Sequence, residues 1–127
     1  MSLPPILENL ALPVICSPMF IAGNPRLVAE QCKAGVVGSF PALNARPKEA
    51  LDGWLTEIEA ELENHRKAHP EDIVAPYAVN QIVHKSNDRL AYDVEVDGSA
   101  PPERNALAIV AAWQGRQRPS AFERMRD

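Results

Sequence analysis

Residues 24–41 read NPRLVAEQCKAGVVGSFP, and this stretch decides the fold class. Asn24 can cap the free amides at the start of a helix, and Pro25 suits the first helical position because its φ angle is already set. Gly35 stands where a helix ends in a left-handed residue. The apolar run at 36–40 then predicts a short buried strand. The stretch is therefore a helix that leads directly into a strand.

The same alternation continues on both sides of this stretch. Residues 13–20 (PVICSPMF) form an apolar run that predicts a buried strand before the helix. Residues 47–68 carry apolar side chains at spacings that place them on one face of a long helix: Leu51, Trp54, Leu55, Ile58 and Leu62. Residues 73–80 (IVAPYAVN) predict a third strand, and Ser86-Asn87-Asp88 is typical of the cap of a third helix.

The predicted order of elements is therefore βαβαβα. Short apolar strands without polar alternation are typical of a parallel sheet that is covered on both faces. The sequence thus predicts an α/β fold with about three βα units. The pattern stops after Val96, because residues 97–127 hold five Arg and no Lys, whereas residues 1–96 hold four of each. We divide the chain into an α/β part at 1–96 and a divergent Arg- and Pro-rich tail at 97–127.

Composition narrows the function classes. Hydrophobic residues are 46% and charged residues 24% of the 127, which is typical of one globular domain. The net charge of −4 argues against a nucleic-acid or anionic-membrane binder, which needs a basic face. The sequence has no apolar run of the ~18 residues typical of a membrane-spanning helix, and no basic segment typical of a secretory signal. Cys16 and Cys32 fit no metal-binding spacing, so we expect a reduced, cytoplasmic protein.

Side chains with useful chemistry follow two of the predicted strands. Ser17-Pro18-Met19-Phe20 ends the first strand, and Asn80 ends the third. Ligands of parallel α/β folds lie beyond the carboxyl ends of the strands. The backbone at Pro18 is rigid, and the soft, polarizable side chain of Met19 suits the face of an aromatic ring system. The Asn80 amide can donate to and accept from a heteroaromatic edge or a phosphate oxygen.

The three histidines have simpler interpretations. His65 and His69 have the i, i+4 spacing of a helical metal pair, but they lie at a predicted helix C-terminus, where histidines favour the helix dipole. No third ligand is evident, so we predict no metal site. His84 follows the third strand and is expected to border a pocket. A role as a base is the alternative, because an imidazole titrates near neutrality.

Three segments together resemble the N-terminal portion of the nitronate monooxygenases, formerly grouped as 2-nitropropane dioxygenases. The segments are LPVICSPMF, CKAGVVGSFPALNAR and PYAVNQIVHKSN, and the resemblance covers about residues 5–96. Members of that family are (β/α)8 TIM barrels that bind FMN and oxidise alkyl nitronates with dioxygen to a carbonyl compound and nitrite. The resemblance implies that Pro18 and Met19 lie against the flavin and that Asn80 hydrogen-bonds it.

The chain also departs from that family. A TIM barrel usually needs ~250 residues, and three βα units leave an open sheet edge. The family's late glycine-rich phosphate loops and its Gly-His base have no counterpart here, so no catalytic residue is assigned. We expect a partial barrel from a truncated or frameshifted gene, inactive on its own. Two alternatives stay open: a non-catalytic fragment that self-associates or pairs with another chain through its open sheet edge, and an FMN-dependent enoyl-reductase-like barrel.

Overall fold

The computed structural model describes residues 4–98, and the predicted tail lies outside the described residues except for its first two positions. The elements in chain order are α1 (Pro25–Lys33), β1 (Gly38–Pro41), α2 (Ala50–Ala68), β2 (Tyr77–Asn80) and α3 (Leu90–Gly98). Short 3-10 turns lie at Pro5–Leu7 and Ala42–Asn44. From the first helix onward, the predicted order of helices and strands is confirmed.

The two strands form a parallel sheet. Gly38 lies opposite Tyr77 and Pro41 lies opposite Asn80. On the other side of β1, a parallel bridge joins Ile15 to Val37, and the Cys16 amide donates to the Val37 carbonyl at 2.8 Å. Three chain segments therefore run in the same direction, with β1 in the middle. This arrangement is a partial α/β fold, and residues 4–98 do not form a closed barrel.

The prediction of a buried strand at 13–20 is wrong in both extent and burial. The segment makes a single bridge to β1, and the side chains of Val14 and Ile15 are 45% and 49% exposed. The Val14 amide bonds to the Leu12 carbonyl in a turn, so it does not contribute to a strand ladder. In the described part of the chain no strand pairs with the outer side of this segment, and its apolar side chains therefore stay in contact with solvent.

The third strand begins four residues later than predicted, at Tyr77. Pro76 has no amide hydrogen to donate to the ladder, which favours a strand that starts after it. The residue before it, Ala75, donates instead to the Cys32 carbonyl at the end of α1, at 2.9 Å. The segment at 73–76 is therefore bound to the C-terminal end of α1 and does not belong to β2.

One hydrophobic core joins α1 and α2 to one face of the sheet. The predicted start of α1 is confirmed, since the Asn24 Oδ1 accepts from the Leu27 amide at 2.9 Å. The predicted left-handed residue is confirmed as well, since Gly35 has a φ of 83°. The larger buried members of the core come from all four elements: Val28, Cys32, Phe40, Leu51, Leu55, Ile58, Leu62, Tyr77 and Val79.

The predicted cap at Ser86-Asn87-Asp88 is wrong for Ser86. Its Oγ lies 2.8 Å from the Nδ1 of His84, and α3 begins four residues further on, at Leu90. The preceding turn is closed by Asn87, whose Oδ1 accepts from the Arg89 amide at 3.3 Å.

No helix among residues 4–98 has both the length and the apolar composition that crossing a membrane requires.

Burial in this core changes the acidity of one thiol. Cys32 is fully buried on α1, and its Sγ donates to the Pro76 carbonyl at 3.5 Å. Loss of hydration raises the pKa of the Cys32 thiol from its ordinary value of 9.0 to about 11, and nearby Cys16 adds to the rise. The Gly38 backbone acts in the opposite direction. The folded chain therefore keeps this thiol protonated at a pH where the unfolded chain ionises it.

We expect the free energy of unfolding to fall more steeply with pH in the wild type than in Cys32→Ala. Because the folded-state pKa is the higher one, the thiol's contribution is complete below pH 9 and is lost as the pH rises toward 11. The loss by pH 11 amounts to about 2 kcal/mol. Urea unfolding under reducing conditions, at intervals from pH 8 to pH 11, measures both curves. Parallel curves for the two proteins would contradict the assignment.

Candidate functional site

Three loops meet at the carboxyl edge of the sheet. They comprise residues 17–23 after the first segment, residues 42–48 after β1 and residues 80–87 after β2. Because the three segments run parallel, all three loops leave the sheet at this edge. Pro18 and Met19 lie in the first loop, and Asn80 is the last residue of β2. We call this region the carboxyl edge.

Asn44 ties the first loop to the second. Its Nδ2 donates to the carbonyls of Met19 at 2.9 Å and Gly23 at 2.8 Å. The Gly23 amide also donates to the Met19 carbonyl, at 2.9 Å, which closes the turn between them. A β-carbon at Gly23 would lie 2.8 Å from that same carbonyl oxygen, so the turn needs a residue without a side chain. The position of Met19 is thus fixed by a side chain from the loop after β1.

The turn that Asn44 holds is strained and apolar. Ile21 has a φ of 68°, and a β-branched side chain in the left-handed region costs about 1–3 kcal/mol. Exposure rises along the turn, from 44% at Met19 to 64% at Phe20 and 79% at Ile21. Three consecutive large apolar side chains therefore face solvent on a backbone that the surrounding contacts hold in place. Strain of this kind is common at ligand-binding positions.

Arg46 stands beside this turn. Its Nε donates to the Leu43 carbonyl at 3.0 Å, and its guanidinium carbon lies 5.7 Å from the centre of the Phe20 ring. The stacked position restricts the planar guanidinium, and such contacts contribute about 0.5–1 kcal/mol at exposed sites. Within the described residues, Arg46 forms no ion pair with a carboxylate.

Arg89, which lies between the third loop and α3, holds the second loop. Its Nη1 donates to the Ala45 carbonyl at 2.6 Å, and its Nη2 donates to the Ala42 carbonyl at 3.2 Å. The same Nη2 lies 2.9 Å from the Oδ1 of Asp93, which is completely buried. The ion pair holds the arginine in the direction of the two carbonyls. Asn44 thus connects the first and second loops, and Arg89 connects the second loop to the third through its amide, which donates to Asn87 Oδ1.

The strand register places Asn80 on the face of the sheet away from the helices. Tyr77 and Val79 belong to the helix-side core, so Asn80, which alternates with them, lies on the opposite face, level with Pro41 on β1. Asn80 is half-buried. The structure therefore puts Met19 and Asn80 at the same edge, on either side of β1, and within residues 4–98 no hydrogen bond joins them.

Polar atoms without partners lie next to these positions. Both amide atoms of Gln81 and the Oδ1 of Asn44 are shielded from solvent, and none of them has a hydrogen-bond partner in the described region. A buried polar group without a partner costs about 1–3 kcal/mol. Buried polar groups without partners are uncommon in folded proteins, and a bound polar ligand is one way to satisfy them.

The carboxyl edge is positively charged in a chain of net charge −4. Its three loops contain Arg46, Lys48 and Lys85 and not a single Asp or Glu. The next acids along the chain are Glu49 and Asp88, which stand just before α2 and α3. A cluster of one sign raises the local concentration of ligands of the opposite sign.

Two of the three histidines, His65 and His69, lie apart from this chemistry. They lie at the C-terminal end of α2, where their ring centres are 4.7 Å apart. The Nε2 of His65 also lies 2.8 Å from the Oδ2 of Asp72. Among residues 4–98, no three His, Cys, Asp or Glu side chains form a group that could hold a metal ion. His84 does lie in a carboxyl-edge loop, where its ring is held by Ser86.

No protein-family model, no curated protein and no solved structure matches this chain. Asn44, Arg46 and Arg89 were not singled out from the sequence, because their contacts depend on which loops become neighbours. The sequence points to this region only through the absence of Asp and Glu from the three loops.

We expect Asn44→Ala to loosen the turn that carries Met19. The variant loses the two hydrogen bonds to the carbonyls of Met19 and Gly23, which together contribute about 1–2 kcal/mol. Amide hydrogen exchange at Gly23, followed by NMR, should become faster, while exchange in β2 stays nearly unchanged. Asn64→Ala is the matched control, because Asn64 is exposed on α2. Equal exchange at Gly23 in both variants would show that Asn44 does not hold the turn.

Proposed function

We propose that residues 1–96 provide one wall of an FMN site in a nitronate-oxidising flavoprotein of the nitronate monooxygenase type. The observation that carries the proposal is the composition of the carboxyl edge. It combines an exposed apolar turn with three cationic side chains and no acid. FMN has the matching chemistry, since a flat heteroaromatic ring is joined to a phosphate.

The residues at this edge fit the ring of such a cofactor. Met19 is partly exposed on a turn whose backbone is held from behind by Asn44, so its thioether can cover a ring face without rearrangement. Pro18 makes the preceding backbone rigid. The amide of Asn80, and beside it the unpartnered amide of Gln81, can donate to and accept from the ring edge. When bound, FMN would accept the electrons that the nitronate loses as it is oxidised.

The proposal assigns binding to this part of the chain and no proton transfer. His84 is the histidine closest in the sequence to Asn80, and its Nδ1 is engaged by Ser86 Oγ at 2.8 Å and by the Ser86 amide at 3.1 Å. The resemblance implies a base in a Gly-His motif that these 127 residues do not contain. We therefore propose that the 127-residue chain binds flavin weakly and does not turn over nitronate by itself.

We expect the purified chain to quench flavin fluorescence and to bind FMN more tightly than riboflavin. Riboflavin lacks the phosphate, so the preference reports the positive charge of the edge and should shrink as salt is added. Met19→Ala and Asn80→Ala should each weaken FMN binding about threefold to tenfold. Asn64→Ala on the exposed face of α2 should leave binding unchanged.

Two outcomes would contradict the proposal. One is the absence of any FMN binding by the folded wild-type chain at millimolar concentration. The other is equal binding of FMN by the wild type, Met19→Ala and Asn80→Ala, which would move the flavin away from the carboxyl edge. Nitrite release from propyl-1-nitronate, assayed alongside, tests separately whether the chain is inactive alone.

A specific observation favours a second candidate, in which the chain assembles with another copy or another protein. Val14 and Ile15 are about half exposed, and in the described part of the chain the backbone of Ile15 makes no hydrogen bond. Residues 9–25 contain no charged side chain. An unprotected, uncharged edge of this kind is a template for pairing with another strand.

Light scattering coupled to size exclusion tests the assembly. We expect an oligomer from the wild type and a monomer from Ile15→Lys, because a charge on the edge opposes pairing. Ile73→Lys is the matched control, since Ile73 has the same 49% exposure outside this segment. A monomeric wild type would remove this candidate.

A further inference from the structure

We propose that Arg46 and the turn Met19–Ile21 bind a planar organic anion with an apolar body. The inference extends the proposed function, and naming a nitronate as the ligand depends on that function. A nitronate carries its charge on two oxygens of one nitrogen and so shares its flat, two-oxygen form with a carboxylate. The ligand class is defined by that shared form together with an alkyl chain.

Arg46 is oriented for such a group. Its Nε is occupied by the Leu43 carbonyl, and its plane is restricted by the Phe20 ring, which leaves the two terminal nitrogens as donors. An arginine presents these donors as a fork that matches two oxygens of one planar anion.

Several other cations of the described region are already paired. Lys33 lies 3.0 Å from Glu61 and 3.1 Å from Glu30, and the resulting hydrogen bonds, that to Glu61 first, raise the pKa of the lysine. Arg89 is paired with buried Asp93. Arg46 contrasts with both, because no carboxylate of residues 4–98 forms an ion pair with it. Its charge is therefore available to a ligand.

The apolar part of the ligand has a surface beside this guanidinium. Phe20 and Ile21 are 64% and 79% exposed, and in the third loop of the same edge Ile82 and Val83 are 45% and 69% exposed. Large exposed apolar side chains grouped at one edge are characteristic of interaction sites. The strained turn at Ile21 holds part of this surface in place before any ligand arrives.

Within residues 4–98, the three loops of the carboxyl edge offer no internal competitor for Arg46. They contain no carboxylate that could occupy the arginine in place of a ligand, and Lys48 and Lys85 add positive charge nearby. Lys48 itself lies over the Tyr92 ring at 4.9 Å, so Arg46 is the cation that stacks on the exposed turn. Anion binding at this position is thus favoured by both the local contact and the surrounding field.

NMR titration of the full chain with three probes tests the site. The probes are pentane-1-nitronate, its stable carboxylate counterpart hexanoate, and neutral 1-hexanol. We expect both anions to shift the amides of residues 19–23 and 44–46, and 1-hexanol to bind at least about tenfold more weakly. Arg46→Gln should weaken anion binding roughly tenfold, and Arg46→Lys should restore part of it, because the charge returns without the fork.

Arg66→Gln is the matched control, because it removes the same charge from an exposed position in the last turn of α2. The inference is overturned if Arg46→Gln binds hexanoate as the wild type does, or if the wild type binds no anion. Binding of hexanoate but not of the nitronate would keep the anion site and overturn its assignment to nitronates. Flavin quenching is measured separately, so failure of FMN binding contradicts the proposed function and leaves the anion result intact.

Discussion

Parallel hydrogen bonding on both sides of β1 is the constraint on which the rest of the molecule depends. It sets the direction of the segment around Ile15 and of β2, and so decides that three loops leave at one edge. A single antiparallel neighbour would send its loop to the far side and separate Asn80 from Met19. The helices add stability by covering one face, with Phe40 and Val79 in the shared core.

Side chains then connect the neighbouring loops to one another. Ser39 donates from its Oγ to the Cys16 carbonyl, so the sheet contact of the first segment continues through a side chain. Further along, the amide of Asn44 and the guanidinium of Arg89 reach backbone carbonyls on the loops beside their own. These contacts use donors that are buried or half-buried and directed at carbonyls. Polar contacts between loops therefore stabilise the carboxyl edge, whereas apolar packing stabilises the contact between the sheet and the helices.

Local signals in the sequence were enough for α1 and both of its ends. The cap at Asn24 and the left-handed Gly35 depend only on neighbouring residues, and both were predicted correctly. The segment at 13–20 was predicted as buried because its composition is apolar, but burial depends on what lies beside it. Pro76 shortened β2 for a local reason that could have been read from the sequence. The flavin contacts of Pro18, Met19 and Asn80 stay predictions, since their geometry is compatible with a ligand and does not identify one.

The two carbonyls held by Arg89 have a structural consequence. Ala42 and Ala45 bracket the 3-10 turn that contains Asn44, and Asn44 in turn holds the backbone of Met19. Contacts thus run from the start of α3, through the 3-10 turn, to the backbone of Met19 on the far side of β1. The start of α3 and the first loop are therefore joined by side-chain contacts, although they are about 70 residues apart in the sequence.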